Sequence, residues 1–113
     1  VYFYEHVARH AHFYKVLLAD LRLPVFTARL SEIIQEVLAQ ALAKFQPDER
    51  ALQVEKDVLI SYLTGAQISV LIWWLNHEMA YTSQYMAKQL LQLAGATFFH
   101  AIGRDALPTG AFQ

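Results

Sequence analysis

The chain has 113 residues, a 56% hydrophobic share and a formal charge of −1, from nine Lys plus Arg against ten Asp plus Glu. That length makes one domain able to bury roughly two thirds of its unfolded surface. The scattered basic residues exclude a phosphate-binding surface, and the lack of cysteine excludes disulfides and thiolate chemistry.

Only 17% of the residues are charged, against about 25% in an ordinary globular protein. The surplus apolar surface has to be covered by a partner subunit, a cavity or a membrane. The longest unbroken apolar run, Val70 to Leu75, is far short of the roughly 18 residues that argue for a span, so no membrane role is expected. No basic segment followed by an apolar one marks a signal peptide, and a cytoplasmic location is expected. The chain begins at Val1 rather than Met, which suggests a piece of a longer protein.

Apolar residues recur at helical spacing almost everywhere and at strand spacing nowhere. The expected fold is therefore all-α, an antiparallel bundle of four to five helices. The first helix is placed at about Tyr2 to Ala19, with Phe3, Val7, Ala11, Tyr14, Leu17 and Leu18 on one stripe. The segment "DLRLP" ends it, because Pro24 pushes the residue before it away from helical angles.

The second helix, Val25 to Phe45, has the most regular pattern: Phe26, Leu30, Ile33, Ile34, Val37, Leu38, Ala41, Leu42 and Phe45 face one way, Arg29, Glu32, Glu36, Gln40 and Lys44 the other. Pro47 terminates it. Asp48 is the expected N-cap of a third helix reaching Asn76, with a kink at "QVEKD". Thr82 and Ser83 are candidate caps for a fourth, Gln84 to Ile102, which Gly103 ends. The last ten residues, "RDALPTGAFQ", have the composition of an irregular tail.

The third helix looks buried on two faces. Leu59, Tyr62, Leu63, Ala66, Val70 and Trp73 form a stripe of mostly large residues, while Ser61, Gly65 and Ser69 recur every four positions beside it. Glycine inside a helix costs about 1 kcal/mol relative to alanine, which suggests a steric reason for Gly65. On the fourth helix Met86, Leu90, Leu91, Ala94, Phe98 and Ala101 form a stripe, with Leu93, Ala96 and Phe99 lying off it. Two such helices and their symmetry mates would make an intermolecular four-helix bundle. The interface residues expected on this basis are Ser61, Gly65, Ser69, Ile72, Trp74, Leu90, Leu93 and Phe98. The plainer alternative is the central helix of a monomeric bundle.

No residues carry a catalytic expectation. Ser31, Ser61, Ser69 and Ser83 lie in or at the caps of helices rather than in a strand-turn-helix elbow. There is no glycine-rich phosphate loop and no paired-carboxylate motif. His6 and His10 share a helix face, with His12 nearby, but further ligands are missing, so no metal site and no cofactor are expected. The aromatic residues suit an apolar pocket with a few polar tips. His10, Phe13, Tyr14, Tyr62 and Trp73 are the candidate ligand contacts, each also explicable as core packing.

The opening "HVARHAHFYKVLL", the long second helix, and "GAQISVLIWWLNHEMAYTSQYMAKQLLQL", where a small-residue helix ends on Trp-Leu and a polar loop leads through "TSQYMAKQL" into the last helix, resemble the C-terminal regulatory domain of TetR/AcrR-family transcriptional repressors. The likeness covers about residues 2 to 102. It implies dimerisation through the last two helices, with Gly65, Trp74, Leu75 and Met86 to Leu90 on the segments that make the dimer. It also implies a small-molecule effector among the other helices, and DNA contact only through an N-terminal helix-turn-helix domain that is not in this chain. Residues 1–103 would be the regulatory domain and 104–113 its tail. The competing reading is a stand-alone helical interaction module without an effector; a histidine-based metal or haem sensor is a third.

Overall fold

The computed structural model describes residues 2–103; the tail expected at 104–113 lies outside the described residues. The elements are α1 (Tyr2–Arg9), α2 (Ala11–Tyr14) running into a π-helical turn (Lys15–Asp20), α3 (Pro24–Phe45), a 3-10 turn (Glu49–Ala51), α4 (Lys56–Asn76) and α5 (Ser83–Ala101). No strand occurs among the described residues.

The expected first helix is broken. His10 leaves helical angles (φ −117°, ψ 35°), and its N–H is shared between the carbonyls of His6 and Val7 at 3.1 and 3.2 Å. The break lets α1 lean on α5 while the π turn packs on α3 and α4, which one straight rod would not do. The π turn closes with the Leu21 N–H on the Val16 carbonyl (2.8 Å) and the Leu23 N–H on the Leu17 carbonyl (3.0 Å). Between them Arg22 takes a left-handed backbone, φ +49°. Pro24 then opens α3, its fixed φ suiting the first helical turn where no N–H is needed.

Asp48 caps only the 3-10 turn, its Oδ1 accepting from the Arg50 N–H at 3.0 Å. The third long helix therefore starts later than the proline-aspartate signal suggests, at Lys56, where the Glu55 carboxylate accepts from the Asp57 N–H. The intervening segment is drawn inward: Leu52 packs on a buried cluster, and the Gln53 N–H donates to the Ala101 carbonyl at 2.8 Å. The turn after α4 closes with the Met79 N–H on the Trp74 carbonyl and the Glu78 N–H on the Leu75 carbonyl. That pattern is a Schellman ending, here with Glu78 and Met79 both left-handed. Thr82 caps α5, its hydroxyl accepting from the Tyr85 N–H at 3.1 Å.

Two buried clusters lie along the bundle. One gathers Tyr4, Val7, Leu18, Leu30, Leu71, Trp74, Leu75, Met86 and Leu90. The other holds Leu42, Leu59, Ile60, Leu63, Ala101 and Ile102. Early α3 thus meets late α4 and early α5, so α4 runs antiparallel to both α3 and α5. The chain measures 42 × 32 × 18 Å, and two helix layers about 10 Å apart fill the short dimension. In so thin a slab α4 has neighbours on one side only.

Candidate functional site

Helix α4 divides into two arcs. Leu59, Ile60, Leu63, Thr64, Leu71, Trp74 and Leu75 are buried. The opposite arc, with Val58, Ser61, Tyr62, Gly65, Ala66, Ser69 and Trp73, is exposed. No Asp, Glu, Lys or Arg occurs from Val58 to Asn76, whereas a solvated helix face normally carries charge. The large-residue stripe expected to face inward is thus split: Leu59 and Leu63 are interior, but Tyr62 is 64% and Trp73 43% exposed. A Cβ placed on Gly65 would meet nothing within 4 Å, so packing within this chain gives no steric reason for the glycine.

The expected interface residues separate accordingly. Ser61, Gly65, Ser69 and Leu93 (64% exposed) lie on open surface, and Ile72 is half-buried at the edge of the α4 face. Phe98 is half-buried, its ring edge-on to Phe45 at 5.8 Å. Trp74 and Leu90 are corrected to the interior, at 1% and 7% exposure. Successive helical residues sit about 100° apart, so of the adjacent tryptophans one faces in and one out. The Trp74 indole N–H donates to the Tyr81 carbonyl at 2.9 Å. Trp73 instead stacks on His77 (4.6 Å) and Tyr81 (6.1 Å), and Tyr81 on Tyr85 (4.9 Å). His77 closes α4 by donating its Nδ1–H to the Trp73 carbonyl at 2.7 Å.

The expected ligand residues do not share one pocket. His10, Phe13 and Tyr14 line an open cleft of about 310 Å³ together with His6. There the Tyr14 hydroxyl is hydrogen-bonded to His6 Nδ1 at 3.0 Å, and the two imidazoles lie 4.7 Å apart. No third His, Asp or Glu joins them in a metal-ligating group among the described residues. Tyr62 borders a cleft of about 160 Å³ with Val58 and Thr97, and Trp73 belongs to the aromatic stack.

A cleft of about 490 Å³, lined by Leu18, Arg22, Pro24, Thr27, Ser69 and Ile72, opens between the π turn, the start of α3 and α4. Its size falls within the usual span of small-molecule sites, roughly 300–1,000 Å³. Arg22 escapes sequence reasoning because "DLRLP" reads only as a helix break, and Thr27 because it lies off the apolar stripe of the second helix. Nothing in the local pattern shows that the break faces a helix some forty-five positions later.

Helix α4 is long and apolar enough to cross a membrane by length and composition alone, a property that the six-residue run Val70 to Leu75 conceals. Its buried arc is also what the core helix of a bundle presents. No curated protein and no solved structure matches the chain. A family model, TetR_C_8, described as a transcriptional regulator C-terminal region, matches residues 1–95. The match spans most of the chain and agrees with the all-helical architecture, so this protein belongs to the TetR C-terminal-domain family of transcriptional regulators.

Proposed function

We propose that the chain is the effector-sensing and homodimerisation domain of a bacterial, cytoplasmic TetR-family repressor. The observation that carries this reading is the uncharged, exposed face of α4, continued on α5 by Tyr85, Leu93, Ala96 and Phe99. Two copies related by a twofold axis would bury these faces against each other as a four-helix bundle. A small apolar or aromatic effector would lie in the clefts beside α4 and favour one subunit arrangement over another. DNA would be read by an N-terminal domain outside this chain, and the domain described here has no catalytic part in the scheme.

Light scattering tests the reading. The parent chain is expected at twice its 12.9 kDa monomer mass, and Tyr62→Glu, Leu93→Glu and Gly65→Leu are each expected to shift it toward monomer. A carboxylate left unpaired in a buried interface weakens association on the order of 100-fold. Lys44→Glu, on the exposed side of α3, serves as the control and is expected to stay dimeric. A folded parent that runs as a monomer at all concentrations refutes the reading. The clefts described above are open to the surface, which favours a second reading, dimerisation without an effector. A dimer that binds no small molecule in a thermal-shift screen would select that reading.

A further inference from the structure

The cleft of about 490 Å³ is bordered by an exposed cation, Arg22, that pairs with no acid among the described residues. The ion pairs among the described residues are Lys15 with Asp20, Arg29 with Glu32, Arg50 with Asp48 and Lys56 with Glu49. Arg22, like Arg9, Lys44 and Lys88, is in none of them, but it is the one that borders this cleft, and the acid nearest in sequence, Asp20, is already held by Lys15 at 3.6 Å. The position of Arg22 is fixed by the backbone. Its left-handed φ of +49° turns the chain between the π turn, closed by the Leu23 N–H on the Leu17 carbonyl, and the extended Leu23 that Pro24 restricts. A left-handed backbone disfavours any residue with a side chain, and glycine would form this turn with less strain. What arginine adds is a cation at the exposed border of the cleft.

The rest of the cleft is neutral. Leu18, Pro24 and Ile72 supply apolar surface, and Thr27 and Ser69 one hydroxyl each. One cation with two hydroxyls matches one negative charge; a phosphate dianion calls for more positive charge than is here. A wholly apolar guest would cover the guanidinium without pairing it, which costs binding. We propose that this cleft takes a monoanionic amphiphile, an aliphatic or aryl carboxylate. Its carboxylate would pair fork-to-fork with Arg22, and its hydrocarbon would lie on Leu18, Pro24 and Ile72. The proposal rests on the effector-sensing reading above and names the ligand class. Such a guest would also tie the π turn and α3 to Ser69 and Ile72, one within and one at the edge of the face offered to the second subunit.

Calorimetric titration of the full chain with octanoate and with uncharged octanamide tests this, using Arg22→Gln, Arg22→Lys and Thr27→Trp, with circular dichroism melts to confirm folding. Octanoate is expected to bind saturably and at least tenfold more tightly than octanamide. Arg22→Gln should remove that preference, Arg22→Lys should keep part of it, and Thr27→Trp should abolish binding of both. Equal binding of the two probes, lost only in Thr27→Trp, overturns the carboxylate assignment and leaves effector sensing standing. Octanoate binding unaffected by all three variants overturns the site itself. No saturable binding of either probe to folded dimer overturns the ligand class, and the thermal-shift screen then decides separately whether any effector is sensed.

Discussion

Replacing Trp74 by alanine is expected to leave the domain largely unfolded, or within a few kcal/mol of unfolding. The side chain is 1% exposed and meets Tyr4 edge-on at 5.4 Å. Truncating a buried tryptophan costs about 3–5 kcal/mol through lost transfer energy and the cavity left behind. Loss of the indole N–H also strands the Tyr81 carbonyl, a further 1–3 kcal/mol or so if that group stays shielded from water. Together these approach the total stability of roughly 5–15 kcal/mol typical of a single domain. Trp74→Phe separates the contributions, since it keeps most of the apolar volume while losing the hydrogen bond. Trp73→Ala, one position earlier and 43% exposed, is expected to cost under about 1.5 kcal/mol, with its larger effect on subunit association. Urea unfolding of the three variants tests the assignment; a Trp74→Ala midpoint close to the parent's would refute it.

The second large effect is expected at high pH and originates at Tyr4. Its hydroxyl is buried and has no hydrogen-bond partner, and burial pushes the phenol up to about 12 from the usual 10. A folded state that resists ionisation more than the unfolded chain is stabilised in full below pH 10. That advantage drains away as the pH rises from 10 through 12, by about 2–3 kcal/mol at the upper end. Tyr14 moves in the same direction, also by desolvation. Tyr4→Phe removes both the unpaired hydroxyl and the ionisation. At pH 7 it is expected to be neutral or more stable by up to about 1 kcal/mol, and to lose most of the alkaline decline. Urea midpoints at pH 7, 10 and 11.5 for parent and variant provide the check. A parent equally stable at all three pH values would contradict the account.

Much of this architecture is legible from spacing and breakers. Helix α3 runs as its pattern indicates, because a wide apolar stripe opposite charged residues has one way to lie on a core, although Ile33 and Val37 at the stripe's edge remain exposed. Thr82 caps α5 as expected, whereas Pro24, read only as a break, itself opens α3 one residue before the expected start. The break at His10 has no glycine or proline to announce it; it arises because α1 and the π turn lean on different helices. On α4 the periodicity is ambiguous, since an uncharged helix offers apolar residues in every direction. Spacing alone does not say that Trp74 goes in and Trp73 out. The candidate ligand residues scatter for a related reason: Tyr62 and His10 are each plausible on their own helix, but only the crossing of helices decides which meet.

The two buried clusters also bear on cooperativity. Between Thr64 and Leu71, α4 contributes no fully buried residue, and neither does α3 between Leu30 and Leu42 nor α5 between Leu90 and Ala101. The bundle is thus two packed storeys joined by a lightly filled waist, with Gly65 in the waist itself. Amide protection should fall into two tiers, the storey around Trp74 opening last and the smaller one around Leu42 and Leu63 breathing more readily. A helix clamped at both ends and slack in the middle can bow there without either core giving way. In a second copy packed against that stretch, the bow would be felt first at Gly65.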